Sequence, residues 1–275
     1  MLMDWYAFHA WCHSIDAQER LAVHLFCENQ LDVDWFFVKY WMGGPHLRVR
    51  TTSRAVHEAL VREARNWLDH AAVPSLDRDR FYSGVSLFGE EVDDVEGLPW
   101  FPSGTVLEMP YEPELDRYLG IHHMAASERA FRHSSEFAVS VFTSPHPRSI
   151  RLALGALTLW GMAKAYGLAT IEFFQRYAEF WEQVAGGADA VLLAQAATAI
   201  CERVVSGQAQ FAAVDRYVTA MTAELAPVVA DVTPNEATLL IASHMHMTNN
   251  RLSVLPATEA VLASGFCRVL ERNNS

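Results

Sequence analysis

Residues 35–50 read WFFVKYWMGGPHLRVR, and this stretch decides the fold. The apolar run Trp35 to Val38 and the pair Leu47 and Val49 each predict a buried strand, over 35–41 and 46–51. Met42-Gly43-Gly44-Pro45 between them is turn chemistry, so the two strands form a hairpin. Period 2 puts His46, Arg48 and Arg50 on one face and Leu47 and Val49 on the other. An imidazole and two guanidiniums on one sheet face are costly unless water, an anion or a carbonyl meets them. Two readings stay open. One is an edge strand with a wet polar face. The other is a site for planar acids or polarised amides, which forked donors suit. On the second reading the Gly43-Gly44-Pro45 bend lets a peptide backbone approach.

Toward the N-terminus, 5-WYAFHAWC-12 predicts a first strand, and Asp16 to Glu19 open a helix that runs to about Asn29. Toward the C-terminus, Thr51-Thr52-Ser53 caps a helix from Arg54 to His70, with Val56, Leu60, Ala64 and Leu68 on its apolar stripe. Residues 74–111 break every periodicity with Pro, Gly and acids. They predict a long excursion with short strands near 81–88 and 104–109, of a length that is more often functional than idle. From about 122 the helical period holds to the end, with expected breaks at Pro145, Pro147, Gly167, Gly186-Gly187, Gly207, Pro227 and Pro256. The fold class is therefore α+β: a small N-terminal mixed sheet with flanking helices over about 1–120, then a largely helical half over about 121–275, in one domain.

The 275 residues are 51% hydrophobic and 20% charged, which gives a sizeable core, and the formal net charge is −12. That balance argues against nucleic acid as the partner. No apolar run is long enough to span a membrane, and the first residues have neither the basic start nor the apolar core of a signal peptide. Cys12, Cys27, Cys201 and Cys267 have no paired spacing, which favours the reduced thiols of a cytoplasmic protein over disulfides or a zinc site.

Two further stretches carry chemistry. In 110-PYEPELDRYLG-120, Glu112, Glu114 and Asp116 precede Arg117 and Tyr118. This is either a solvated helix start with i,i+3 ion pairs or a device that brings Arg117 toward Arg48 and Arg50, with Glu112 or Glu114 steadying the cations. In 243-SHMHMTNNRLSV-254, His246 shares a helix face with Asn250, and His244 with Arg251. His244 and His246 point about 200° apart on a helix, so a metal pair is not supported. A histidine near cations would be held neutral and could act as a base, while a helix-end histidine bonded to a carbonyl would be structural. The stripe Phe173, Phe174, Tyr177, Phe180 and Trp181 reads as core.

Taken in order, WFFVKYWMGGPHLRVR, PYEPELDRYLG and HMTNNRLSV resemble the C-terminal domain of lantibiotic dehydratases, which also occurs as the thiopeptide-type bacteriocin biosynthesis protein. The resemblance runs from Trp5 to about Leu255. It implies one of two chemistries on a ribosomally made precursor peptide carrying a leader segment. The first joins two dehydroalanines and an amide carbonyl in a formal (4+2) cycloaddition, a pyridine synthase reaction that closes a macrocycle with loss of water and of the leader. The second eliminates glutamate from glutamylated Ser or Thr to leave dehydroamino acids. A non-catalytic leader-binding scaffold is the third option. The resemblance implies Arg48, Arg50, Arg117 and His246 as catalytic. His46, Glu112, Glu114, Tyr118, Asn250 and Arg251 are the expected substrate-binding residues. It implies no metal and no organic cofactor, and a homodimer is compatible with it. The chain departs from the family text at Leu119, where Gly is usual, at Lys39, where Arg is common, and in carrying His244 and a doubled Asn before Arg251. These departures leave elimination open but unsettle a pocket shaped for glutamate; the chain's size and the Leu119 departure lean the reading to the pyridine synthase.

Overall fold

A computed structural model describes residues 4–274 apart from 28, 30, 84–94, 145–149 and 185–189. The described residues up to 144 form one compact unit and those from 150 onward another. The helix that opens the expected helical half, α4 (Ile121–Phe142), belongs to the first unit.

The first unit holds β1 (Tyr6–Trp11), α1 (Ile15–Phe26), β2 (Trp35–Tyr40), β3 (His46–Thr51), α2 (Arg54–His70), α3 (Arg78–Ser83) and β4 (Val106–Glu108), followed by α4. Ser14 and Ser53 start α1 and α2 by accepting from the backbone N–H groups of Ala17 and Val56. The strand order is β2-β3-β1-β4. Each helix-bearing crossover lands its strand one place beyond its nearest neighbour, and an antiparallel strand fills the gap. All three ladders are therefore antiparallel, where a mixed sheet is the expectation from sequence. This βαββαβ order is the split βαβ arrangement of ferredoxin-like sheets.

Helices α1 and α2 cover one face. There Phe8, Ala10, Phe37, Leu47 and Val49 are fully buried, and the Phe26 ring stacks on Trp35 at 4.0 Å. Burying each of the larger of these side chains is worth roughly 1.5–3 kcal/mol. Lys39 points to this face too, where its ammonium meets Glu19 of α1 at 3.2 Å. It is thus separated from the arginines of β3 by the thickness of the sheet. The free edge of β2 is closed by α4: the Ser135 hydroxyl accepts from Phe37 N–H at 3.2 Å.

The excursion differs from expectation. Residues 81–83 end helix α3 rather than begin a strand, while 84–88 lie outside the described residues. The chain then returns to the hairpin, and Phe101 N–H donates to Gly43 O at 2.9 Å. The Tyr82 hydroxyl accepts from Gly43 N–H and donates to Pro99 O. Gly43 and Gly44 have φ of 85° and 97°, and a Cβ on Gly44 would sit 2.7 Å from His13 Nε2. The bend is thus filled by the chain's own 99–101 segment, which corrects the reading that it admits a peptide. Glycine is needed there for internal packing.

The second unit is helical: α5 (Ile150–Ala165), α6 (Ile171–Val184), α7 (Ala190–Val205), α8 (Ala212–Asp231), α9 (Pro234–Arg251) and α10 (Pro256–Asn273). Pro227 lies inside α8 instead of ending it, and the helix runs on with Val228 buried. The breaks expected at Pro145, Pro147 and Gly186-Gly187 fall outside the described residues. α9 opens on a capping box between Thr233 and Glu236. α10 packs on α6 and α7, and Gly265 sets the approach, since a Cβ there would meet Cys201 Sγ at 3.0 Å.

Candidate functional site

In the first unit the candidate residues gather on the sheet face turned away from α1 and α2. The register sets His46, Arg48 and Arg50 beside Trp11, His9 and Ala7 of β1 and beside Tyr40, Val38 and Phe36 of β2. His46 is buried and locked in one tautomer. Its Nδ1–H donates to Gly44 O at 2.7 Å, and Nε2 accepts from Arg48 Nε at 3.4 Å. The His9 and His46 rings stack at 5.0 Å, and Trp11 adds a third ring at 4.8 Å from His46. Burial, then the neighbouring cations, push His46 down to about 3 and His9 to about 2. Both imidazoles are therefore neutral at physiological pH.

The arginines lie against rings. The Arg48 guanidinium carbon is 3.4 Å from the centre of the Tyr40 ring. That of Arg50 lies 5.3 Å from Phe36 and 5.2 Å from Tyr111. Burial pushes Arg50 down to about 10, and lowers Arg48 as well. Glu114 draws on both guanidiniums and Glu112 on Arg48. Arg50 Nη1 donates to Arg48 O at 3.2 Å, while its buried Nε makes no hydrogen bond.

Residues 115–119 form turns before α4 rather than a helix. Arg117 reaches Glu114 at 3.3 Å, an i,i+3 ion pair that ties it to the acid serving Arg48 and Arg50. Tyr118 is buried against Phe131. Leu119 has φ of 62° and Gly120 of 87°, so the position usually held by glycine keeps the left-handed conformation while carrying a leucine.

In the helical unit, His246 is 9% exposed. Its Nδ1–H donates to Glu259 Oε1 at 2.8 Å, and the Tyr177 hydroxyl donates to Oε2 of the same carboxylate at 2.5 Å. The His246 ring stacks on Trp181 at 3.9 Å. An imidazole oriented in this way through Nδ1 presents Nε2 for proton transfer. The partner is a carboxylate on α10, not the cationic neighbour anticipated for this histidine. Asn250 is half-buried, whereas Arg251 is fully buried and donates to Met247 O of its own helix at 2.8 Å.

Sequence reasoning missed His9, Tyr40, Tyr111 and Glu259. A signal for Glu259 exists: it is a lone acid in line with Leu262, Ala263 and Phe266 on the apolar stripe of α10. Tyr177 and Trp181 read correctly as core and also serve His246, while Phe180 is 59% exposed. Among the described residues no cluster of His, Cys, Asp or Glu could hold a metal, and no helix is long and apolar enough to cross a membrane.

Residues 5–270 match the family described as lantibiotic biosynthesis dehydratase C-term. Among solved structures, the chain is similar to the pyridine synthase TbtD from thiomuracin biosynthesis, with a TM-score of 0.67 and 16% identity over 98% of both chains. It is also similar to TsrL, with a TM-score of 0.60 and 15% identity over 98% of this chain and 95% of the other. The tRNA-dependent lantibiotic dehydratase MibB from Microbispora sp. 107891 matches with a TM-score of 0.52 and 20% identity, over 98% of this chain and 28% of that one. These likenesses are of fold. Comparison with curated protein sequences finds no match.

Proposed function

We propose, from the premise that the chain belongs to the lantibiotic biosynthesis dehydratase C-terminal family, that it is a pyridine synthase acting on a dehydroalanine-bearing precursor peptide. The family places it among enzymes that modify ribosomally made peptides. The observation that carries the finer reading is the dressing of the cations. Arg48 lies on the Tyr40 ring, Arg50 lies beside Phe36 and Tyr111, and Glu114 already draws on both. A floor of rings and partly balanced guanidiniums suits flat conjugated alkenes and a polarised amide. It suits the carboxylates of a glutamyl leaving group less, because Glu112 and Glu114 would repel them.

In this reading the guanidinium edges of Arg48 and Arg50 polarise the amide carbonyl toward its iminol form. The aromatic face aligns the two alkenes, and positioning supplies most of the rate. In the helical unit taken by itself, Glu259 orients His246 so that Nε2 can carry a proton. The elimination reading is favoured by one observation, the buried and unbonded Nε of Arg50, which is a donor suited to an anionic oxygen.

Incubation with a linear peptide bearing two dehydroalanines decides between them. A pyridine chromophore with release of the leader segment is the expected result. Turnover of a glutamylated peptide to a dehydroamino acid, with the dehydroalanine peptide unchanged, would establish elimination instead. Leader binding without either turnover would reduce the chain to a scaffold.

A further inference from the structure

Beside Tyr111 lies a buried acid that none of the chemistry above uses. Glu128, on α4, is 1% exposed, and neither carboxylate oxygen makes a well-formed hydrogen bond. The indole Nε1 of Trp5 is likewise buried and unbonded. The two groups that approach the Glu128 carboxylate are this indole and the Tyr111 hydroxyl. The Tyr111 ring sits 6.2 Å from Trp5, 6.0 Å from Phe36 and 5.2 Å from the Arg50 guanidinium carbon. Tyr111 thus stands with one side toward a buried carboxyl and the other toward the cationic sheet face.

We infer that Glu128 is a positioning residue that holds a proton and acts on the sheet-face site through the Tyr111 hydroxyl. A buried acid with no strong partner keeps its proton, and a protonated carboxyl can donate to the Tyr111 oxygen, turning the phenol O–H outward. Burial pushes Glu128 above the usual carboxylate range and raises Tyr111 too. The charged groups facing the pair are Arg129 on α4 and Arg50 on β3, with Tyr118 as a further neighbour of Tyr111.

The inference rests on the peptide-modifying reading for its chemistry. When a substrate hydroxyl leaves as water, its C–O bond breaks and its oxygen takes the Tyr111 proton. The Tyr111 oxygen takes the proton of Glu128, which becomes a carboxylate beside the Trp5 N–H, with Arg129 as its neighbouring cation. The proton that the substrate gives up to the base returns to Glu128 through solvent, so nothing is oxidised and no proton is consumed.

The test reads the carboxyl itself before it reads turnover. Infrared difference spectra of the intact chain should show a protonated carboxylic C=O band that persists at pH above the ordinary glutamate range. The band should be absent in Glu128→Gln and shifted in Trp5→Phe, and the second variant serves if the first does not fold. No such band, or one untouched by both substitutions, overturns the inference. With substrate, Glu128→Gln and Tyr111→Phe should each lower kcat about tenfold or more with little change in KM. In Glu128→Gln the loss of rate as pH rises should also disappear. A kcat and pH profile like the parent's in both variants overturns the role as well. A Glu128 band without pyridine formation would sink the cyclase reading and support the buried acid.

Discussion

At the residue scale, the role proposed for His246 depends on which of its nitrogens is held. Glu259 fixes Nδ1 at 2.8 Å, so removing either partner should hurt differently. His246→Ala removes the proton carrier and should lower turnover about a hundredfold or more. Glu259→Gln keeps the volume but can offer its amide N–H to Nδ1, which selects the wrong tautomer and lowers turnover with little effect on substrate binding. Product mass and KM, measured against unchanged circular dichroism, check both. Arg50→Lys should fail as a conservative change, because a point ammonium replaces a planar group lying beside Phe36 and Tyr111. The shared sheet face of His46, Arg48 and Arg50 was legible because period 2 marks it. Glu259 and Tyr111 were not, since neither period connects residues brought together by packing of separate elements.

At the element scale, Leu119 in the turn before α4 and Ser253 after α9 are the non-glycine residues with left-handed backbone among the described residues. Ser135→Ala would leave Phe37 N–H on the β2 edge without its acceptor, at a cost of about 1–3 kcal/mol in denaturant unfolding. At position 119 the left-handed backbone gives a cleaner comparison. Leu119→Gly should be more stable than Leu119→Ala by about 1 kcal/mol, because only glycine adopts φ of 62° without a Cβ clash. The reverse order would mean that the side chain, not the backbone, decides this turn. Strand and helix positions were readable wherever one period ran long enough, as in α2, found over the expected Arg54–His70. The excursion was not readable, because its structure answers to Gly43 in the hairpin, which Tyr82 and Phe101 both bond. Pro227 was misread for a related reason: tertiary packing carries α8 past it.

At the scale of the whole molecule, acid should be the weak side of stability. His9 and His46 are lowered to about 2 and about 3, so the unfolded chain takes up protons near the ordinary histidine value and the folded chain does not. Stability therefore rises with pH between about 3 and 6.5, by roughly 1 kcal/mol per pH unit for each histidine. Glu128, pushed up by burial, works in the opposite sense above about pH 4.5, where the unfolded chain has already lost the proton that the folded chain keeps. Melting curves across this range should show a steep acid limb that His9→Phe flattens. In Glu128→Gln the alkaline side should gain relative to the parent.

The distribution of the candidate groups along the chain has a further consequence. The sheet-face residues come from His9, Tyr40, Arg48 and Tyr111, scattered over much of the first unit, whereas His246 and Glu259 stand only 13 positions apart on adjoining helices. A single short crossover between related genes can carry His246 and Glu259 together into a new background. No such event can carry the cationic face. Lineages of this fold should therefore be able to exchange the pair as a cassette, while the cationic face has to diverge one codon at a time.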